Sequence, residues 1–219
     1  MKKNEEKTAT AAKKTVKKKQ ANTNLQSKAR RIDEEEANTE GKMKANNHKG
    51  LVIVITGDGK GKTTSAFGQA LRAVGQGYNV LIVQFMKGRK YGEYKAAKDY
   101  LPNLTVRLVG LDSFVMRDNP AAIDIEMAQK GLALVKRSIK SGKYNMIIMD
   151  EINVAMDFKL VDLKEVIEMI ENRPAGLDLI LTGRNAPQEI INIADTVSEV
   201  KEIKHHYAAG IKNRAGIEY

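Results

Sequence analysis

The chain has 219 residues, enough for one α/β domain of ordinary size whose core needs no covalent crosslinks. Because it contains no cysteine, the sequence excludes disulfides, a thiolate nucleophile and cysteine-ligated metal centres, and it favours a cytoplasmic location. The net charge of +10 at pH 7 raises the question of nucleic-acid binding, so its distribution along the chain matters.

The excess of basic residues belongs to the start of the chain. Residues 1–50 hold 14 Lys or Arg against 7 Asp or Glu, a net of +7, whereas the other 169 residues hold 23 against 20, a net of +3. Residues 1–49 also lack aromatic side chains and bury too little apolar area to offset the entropy lost on ordering. The sequence predicts a flexible basic tail at 1–49, disordered or partly helical, with a polyanion-binding arm around 13–20 as the alternative.

Short apolar runs rich in Val, Ile and Leu alternate with segments of helical periodicity from residue 50 onward. This alternation is typical of parallel strands buried on both faces, and it predicts a doubly wound, mostly parallel sheet in a three-layer α/β/α domain at 50–219. No run reaches the roughly 18 to 20 apolar residues that a transmembrane helix needs, so no membrane association is expected. The predicted strands are 51–56, 79–85, 104–110, 145–151, 177–183 and 196–203, and the predicted helices are 62–75, 121–141, 163–171 and 187–194.

The carboxyl ends of the predicted strands define where a ligand should bind, because open parallel sheets place ligands at that edge. The segments expected to meet there are 56–64, 84–88, 150–153 and 182–185. The sequence therefore predicts one site built from four strand ends.

The first strand end carries a glycine-rich phosphate-binding loop, TGDGKGKTT. The Walker pattern requires Gly, four residues and Gly-Lys-Ser/Thr, and here Thr56 stands at the place of the first glycine. We expect Gly57, Gly59 and Gly61 at positive φ, which turns backbone N–H groups toward phosphate oxygens at the N-terminus of a helix. The loop predicts a P-loop NTPase-like (RecA-like) fold that binds a nucleoside triphosphate. The candidate nucleotide-binding residues are Thr56, Gly57, Asp58, Gly59, Lys60, Gly61, Lys62, Thr63 and Thr64.

The fourth predicted strand ends in two carboxylates, Asp150 and Glu151. Burying such groups is costly unless they are paired or bind a metal, and beside a phosphate loop they indicate a Walker-B role. One carboxylate would hold Mg²⁺, with Mn²⁺ as a substitute, directly or through water, and the other would position a neighbouring group. The Thr63 hydroxyl is the third candidate metal ligand. A solvated strand end is the alternative, and these residues alone leave the reaction open.

Four further segments resemble one family in their order along the chain. They are VQFMKG at 83–88 followed by Gly92-Glu93, MDE at 149–151, TGRNAP at 182–187, and the stretch from ADTVSEV at 194–200 through IKHHYAAGIKNRAGIEY at 203–219. Together with the phosphate loop, they resemble the ATP:corrinoid adenosyltransferases of the CobA/BtuR type over residues 50–219. The resemblance implies a transferase of cobalamin biosynthesis or salvage, with ATP as co-substrate and a corrinoid as substrate.

The resemblance implies a reaction at carbon rather than at phosphorus. The family moves the 5′-deoxyadenosyl group of ATP to the Co(I) of a corrinoid, cob(I)yrinic acid a,c-diamide or cob(I)alamin, and triphosphate leaves intact from an ATP molecule held in reverse. Because Co(I) is itself the nucleophile, no general base is needed, and the protein has to align the reactants and stabilise the leaving group. The residues implied for that stabilisation are Lys60 and Lys62, with Arg184 as a further phosphate cation and Mg²⁺ on Thr63 and Glu151.

Further residues are implied as contacts to the nucleotide or the corrinoid, namely Gln84, Lys87, Glu93 and Phe114. The family's Gly-Phe-Thr-Trp stretch corresponds to VGLDSFVMRDN at 109–119, which keeps Phe114 but has no tryptophan. Ala208 stands where the family often has aspartate. For Gln84 and Arg184, ordinary strand-end and surface roles are the alternatives. His205 and His206 are expected to have structural or nucleotide-contact roles rather than to ligate cobalt.

Two other functions remain as alternatives to the adenosyltransferase. The first is a P-loop ATPase or kinase without corrinoid activity. The second is a nucleic-acid-binding protein that uses the basic tail, which the nearly balanced charge of the remaining chain disfavours. The resemblance also implies a homodimer and an electron-donor flavoprotein that reduces Co(II).

Overall fold

A computed structural model describes residues 49–219, so the predicted tail lies, apart from Lys49, outside the described residues. Six strands form one sheet in the order β3-β2-β4-β5-β1-β6, and every neighbouring pair is parallel. The predicted parallel sheet is therefore confirmed. The strands are β1 (Val52–Thr56), β2 (Val80–Phe85), β3 (Leu104–Val109), β4 (Met146–Asp150), β5 (Asp178–Thr182) and β6 (Thr196–Glu199).

Six α-helices connect these strands within the described residues. They are α1 (Lys62–Gly75), α2 (Gly92–Tyr100), α3 (Ala122–Lys140), α4 (Ile152–Asp157), α5 (Leu163–Glu171) and α6 (Gln188–Ile193), and a short 3₁₀ helix follows at His206–Ala209. The four predicted helices are present. The sequence interpretation missed α2, α4 and the 3₁₀ helix, and it extended β6 too far, because β6 ends at Glu199 rather than at residue 203.

The helices cover both faces of the sheet and so complete a three-layer α/β/α arrangement. Against one face pack α1 and α2, where Ala66, Ala70 and Ala73 let α1 approach strand residues such as Ile148 and Ile180 closely. The other face packs against α3, α4, α5 and α6. Strands β2 and β4 are buried along their whole length, whereas β6 is exposed at every residue and forms an edge. No helix in the 49–219 portion is long and apolar enough to cross a bilayer.

The register of the sheet brings the chemistry-bearing strand ends to one edge. Gln84 of β2 pairs with Asp150 of β4, and Ile55 of β1 pairs with Thr182 of β5. The segments that follow β1, β2, β4 and β5 consequently meet at the carboxyl edge, as the sequence predicts. This edge carries the cavity described next.

Candidate active site

A cavity of about 980 Å³ opens at the carboxyl edge of the sheet. Its volume is of the size that binds cofactors and nucleotides. All four strand-end segments predicted from the sequence contribute to its wall or to the polar network beneath it. The predicted site residues on the wall are Asp58, Gly59, Lys60, Gly61, Lys62, Thr63, Thr64, Lys87, Glu93, Glu151 and Arg184.

The phosphate loop follows β1 and has the predicted glycine geometry at two of three positions. Gly57 and Gly61 have φ of 96° and 123°. Gly59 does not have positive φ, so that expectation is wrong. A Cβ at Gly59 would lie 2.7 Å from the carbonyl oxygen of Lys201, so the glycine is needed for close backbone approach instead. The loop leads into α1, which has no side-chain cap, so its first N–H groups have no partner within the helix, an arrangement typical of anion-binding helix N-termini.

Lys62 begins α1 and lies buried in the wall of the cavity. Its ammonium donates a hydrogen bond to the Gly59 carbonyl at 2.8 Å, within the loop itself. Burial lowers the pKa of Lys62, and the nearby Glu151 carboxylate opposes that shift. Within the described part of the chain this buried ammonium forms no ion pair, so it can bind an anion that enters the loop.

Asp150 closes β4 and is fully buried beneath the cavity. Its Oδ1 accepts from the Thr63 hydroxyl at 2.9 Å and the Thr182 hydroxyl at 2.7 Å, and its Oδ2 accepts from Gln84 at 3.0 Å and Lys87 at 2.8 Å. Burial alone would raise the pKa of Asp150, but the Lys87 ammonium and the hydrogen bonds hold it below its usual value. Four donors fill the acceptor positions of a carboxylate, so Asp150 organises its neighbours.

Lys87 follows β2 and links this network to the cavity. Its ammonium lies 2.8 Å from Asp150 Oδ2 and 3.3 Å from the Thr63 hydroxyl oxygen. Burial would lower the pKa of Lys87, but the Asp150 carboxylate outweighs burial and raises it. The Thr63 hydroxyl therefore donates a hydrogen bond to Asp150 and accepts one from the Lys87 ammonium.

Glu151 has a different environment from its neighbour Asp150. Its backbone has φ of 64° at the N-terminus of α4, and its N–H donates to the Thr182 hydroxyl at 3.0 Å. Burial and the Asp150 charge raise the pKa of Glu151 above its usual value. Among residues 49–219, no side chain forms a hydrogen bond or an ion pair with the Glu151 carboxylate, which lines the cavity.

These oxygens fit Mg²⁺. The half-buried Glu151 carboxylate, which has no side-chain partner among residues 49–219, and the Thr63 hydroxyl are hard oxygen donors on one cavity. Across the described residues there is no cluster of three acidic or histidine side chains that would hold a metal alone. Magnesium characteristically uses one or two protein oxygens and completes its ligands with water and substrate phosphates.

Arg184 and the neighbouring loops form a second polar part of the wall. The Arg184 guanidinium donates to the Asp58 carbonyl at 3.2 Å and lies 3.5 Å from the Asp58 carboxylate. Asp157, at the end of α4, accepts from Arg117 at 2.7 Å and from Asn185 at 2.8 Å. Asn185 lies in the predicted strand-end segment 182–185, whereas the sequence interpretation did not assign Asp157 and Arg117 to the site, because only the spatial meeting of separate loops identifies them.

Three predicted contact residues lie away from the main cavity. Gln84 is buried and acts through Asp150, and the Thr56 hydroxyl accepts a hydrogen bond from the Ala186 N–H at 3.3 Å. Phe114 is fully exposed on a separate groove of about 380 Å³, which shares Lys87 and Tyr91 with the main cavity. The two openings are therefore neighbours.

The two adjacent histidines stack on each other, with ring centroids 4.4 Å apart. His205 lines the cavity, and its Nδ1 accepts from the Tyr207 N–H at 3.2 Å. His206 Nε2 lies 3.2 Å from Glu218 Oε1. The segment at 216–219 also lines the cavity, which the sequence analysis did not assign although it included these residues in a motif.

The chain is similar to known proteins over nearly all of its described length. Residues 48–219 match the family model for ATP:corrinoid adenosyltransferase BtuR/CobO/CobP. A corrinoid adenosyltransferase CobA from Salmonella typhimurium is 37% identical over 177 residues, which cover 80% of this chain and 88% of the relative. Corrinoid adenosyltransferases from Sinorhizobium sp and Escherichia coli K12 are each 35% identical, over 78% and 80% of this chain and 81% and 88% of the relatives. The matched residues include every part of the cavity wall.

Proposed function

The chain belongs to the family of ATP:corrinoid adenosyltransferases, and from that premise we propose how its site carries out the transfer. The family activity makes it a transferase of cobalamin metabolism that moves an adenosyl group from ATP to a corrinoid. One observation carries the proposal for the site: a buried lysine of the phosphate loop lines the same cavity as the half-buried Glu151 carboxylate, which has no side-chain partner among residues 49–219. That pairing suits a polyphosphate together with its metal.

The proposed step is an alkylation of cobalt. The electron pair of Co(I) attacks C5′ of ATP, the C5′–O bond breaks, and its electrons leave with the intact triphosphate. Cobalt becomes Co(III) as it forms the bond to carbon. The protein supplies alignment of the two reactants and stabilisation of the charge that develops on the leaving group.

Several cationic side chains on the cavity wall support the proposed stabilisation of the leaving group. In the proposed complex, ATP lies in reverse, with its terminal phosphate against the loop amides and Lys62. Lys60 and Arg184 contact the remaining phosphate oxygens, and both already line the cavity. The adjoining groove at Phe114 is the proposed location of the corrinoid, because it opens beside the main cavity at Lys87 and Tyr91.

Thr63 and Glu151 are the proposed ligands of Mg²⁺, with Asp150 acting through the Thr63 hydroxyl or through water. Asp150 is already saturated by four donors, whereas the Glu151 carboxylate has no protein partner among the described residues. The bound ion would neutralise phosphate charge in the ground state and on the leaving triphosphate. Glu93, on the same wall, would contact the nucleotide or the corrinoid.

The reaction is tested by incubating the protein with ATP, Mg²⁺ and a chemically reduced corrinoid, and identifying both products. We expect inorganic triphosphate and a light-labile cobalt–carbon product in equal amounts. Parallel reactions with cob(I)yrinic acid a,c-diamide and cob(I)alamin would identify the preferred corrinoid. Formation of ADP while the corrinoid stays unalkylated would overturn the proposal and support the ATPase or kinase alternative.

Three further proposals come from the composition and from the resemblance. They are a cytoplasmic location, assembly as a homodimer, and delivery of Co(I) by an electron-donor flavoprotein. The first is tested by cell fractionation and the second by light scattering of the purified protein. For the third, the measurement is the rate of adenosylation when a reduced flavoprotein replaces the chemical reductant.

A further inference from the structure

The last residues of the described chain form part of the nucleotide cavity. Residues 216–219, here called the strap, line the cavity together with the phosphate loop. The strap is a tight turn, in which the Gly216 N–H donates to the Tyr219 carbonyl at 2.7 Å and Gly216 has φ of 79°. It is therefore a formed element with its own internal hydrogen bond.

The strap holds Lys60, the additional lysine of the phosphate loop. The Lys60 ammonium donates to the Ile217 carbonyl at 2.8 Å and lies 3.5 Å from Glu218 Oε1. The Lys60 side chain keeps 39% of its surface exposed, whereas that of Glu218 keeps 11%. The lysine is accordingly held at one side by a carbonyl and a carboxylate while its other side faces the cavity.

Glu218 has one backbone hydrogen bond and two charged neighbours, and its Oε1 forms no hydrogen bond within the described residues. Its Oε2 accepts from the Arg214 N–H at 2.9 Å, and its Oε1 lies 3.2 Å from His206 Nε2 as well as near Lys60. The Arg214 N–H, and after it the His206 and Lys60 charges, lower the pKa of Glu218 below its usual value. The carboxylate is thus a fixed negative charge beside the loop.

The strap also reaches the start of α2. The rings of Tyr219 and Tyr91 lie 6.2 Å apart between centroids, and a Cβ at Gly92 would be 3.9 Å from the Tyr219 carbonyl carbon. Tyr91, Gly92 and Tyr219 all line the cavity. The strap consequently bridges two walls, the phosphate loop and the N-terminus of α2.

We propose that the strap is a positioning element for the nucleotide, in which Glu218 and the Ile217 carbonyl orient Lys60 toward the polyphosphate. This inference rests on the proposed function only in assigning ATP to the cavity. A lysine has a flexible four-carbon stem and loses rotamer entropy when its ammonium binds a phosphate. Holding Lys60 before ATP arrives reduces that loss on binding.

The test measures the dissociation constant of ATP with Mg²⁺ and without corrinoid, by calorimetry on the full chain. Glu218→Gln keeps the shape of the side chain and removes its charge. Removing a negative charge near the phosphates would by itself strengthen ATP binding. We expect instead that binding weakens roughly 3- to 10-fold, because Lys60 is no longer held.

A double-mutant cycle separates positioning from general damage. In a Lys60→Met background, we expect Glu218→Gln to change ATP affinity by less than about 2-fold, since the residue it positions is gone. Glu171→Gln is the matched control, because Glu171 is an exposed glutamate at the end of α5 that does not line the cavity, and it should bind ATP as the wild type does.

A second variant ends the chain at Ala215 and so removes the whole strap. We expect its ATP affinity to fall at least as far as that of Glu218→Gln, with an unchanged urea midpoint. The proposal would be overturned if Glu218→Gln weakened ATP binding equally in the wild-type and Lys60→Met backgrounds. It would also be overturned if the single variant Glu218→Gln bound ATP as tightly as the wild type or more tightly. Because no corrinoid is present, these outcomes are independent of which product the full reaction yields.

Discussion

The two ends of the sheet both use charged side chains, but they use them differently. At the amino end, Asp195 accepts from the Val52 N–H at 2.8 Å and Asp178 accepts from the Leu51 N–H at 2.8 Å. Arg173 donates to the Gly50 carbonyl at 3.0 Å. Each of these charges satisfies a backbone group where a strand begins, and their role is structural.

At the carboxyl end of the sheet, charged side chains are buried that do not serve to satisfy the backbone groups of a strand. Lys62 has a lowered pKa and Glu151 a raised one, and for each the largest cause is burial. Charged groups whose burial disfavours the charged form are typical of functional sites. Binding a ligand of opposite charge offsets the free-energy cost of that burial. Burial of these charges costs stability at the carboxyl end, which is consistent with the polyphosphate and metal site proposed there.

Among variants that test this comparison, Asp150→Ala should have the largest effect on stability. The change leaves the Lys87 ammonium without its buried partner and deprives Thr182 and Gln84 of their acceptor. We expect the free energy of unfolding to fall by about 3 to 5 kcal/mol. Urea unfolding followed by circular dichroism measures it.

The matched variant at the other end is Asp195→Ala, which removes an exposed carboxylate and one backbone hydrogen bond. We expect a loss of about 1 kcal/mol. Equal losses from the two variants would contradict the view that the Asp150 network is the more strongly coupled one.

The second prediction concerns Lys62→Met, which removes the ammonium proposed to bind phosphate but keeps an apolar stem in the buried position. We expect adenosyl transfer to fall by about 10²- to 10³-fold, because one donor to the developing charge is lost. The unfolding free energy should not decrease, since a buried charge has been removed. Lys49→Met, at the amino end, is the control. If Lys62→Met kept activity within 2-fold of Lys49→Met, Lys62 would not be a residue of the active site.

The sequence predicts those features of the fold and site that depend on residues close together in the chain. The phosphate loop and the apolar strands are local patterns, so the parallel sheet, the loop and Asp150-Glu151 could all be predicted. Helix α2 was missed because only one of its residues, Ala97, is buried, which leaves it without a clear apolar face. Helix α4 has only six residues, too few for a periodic pattern.

The missed site residues depend on distant parts of the chain meeting. The contact between Lys60 and Ile217 joins residues 157 positions apart, and that between Arg117 and Asp157 joins two separate loops. No spacing rule connects such pairs. The sequence predicts that Asp150 and Glu151 differ in role but not which carboxylate takes which, because that depends on how many donors surround each one.

The third prediction uses Glu151→Gln, which retains the shape of the side chain and removes its charge. We expect the affinity for Mg²⁺ in the presence of ATP to fall at least about 10-fold, because the proposed ligand oxygen loses its charge. Titration of activity and of ATP binding with Mg²⁺ measures the change. Unchanged metal affinity would point to Asp150 as the direct ligand instead.

The same variant should gain stability without ligands. The raised pKa of Glu151 means that the folded state binds a proton more tightly than the unfolded state. Stability is therefore lost as pH rises from about 4.3 through the folded pKa. At pH 7 we expect Glu151→Gln to be more stable than the wild type, and we expect the difference to vanish as pH falls below about 4.3.

The smallest expected effect is the opposite pH dependence at the amino end, measured with Asp195→Asn. The Val52 N–H, followed by Lys49, lowers the pKa of Asp195 in the folded state. Such a carboxylate stabilises the fold above its unfolded pKa of about 3.9, and that stabilisation is lost as pH falls through the folded value. We expect Asp195→Asn to be less stable than the wild type by no more than about 1 kcal/mol at pH 7, with the difference shrinking below about pH 4. Urea unfolding midpoints of the wild type and Asp195→Asn between pH 3 and 7 measure this difference in stability. If the difference grew as the pH fell, the two ends of the sheet would not differ in the sign of their pH dependence.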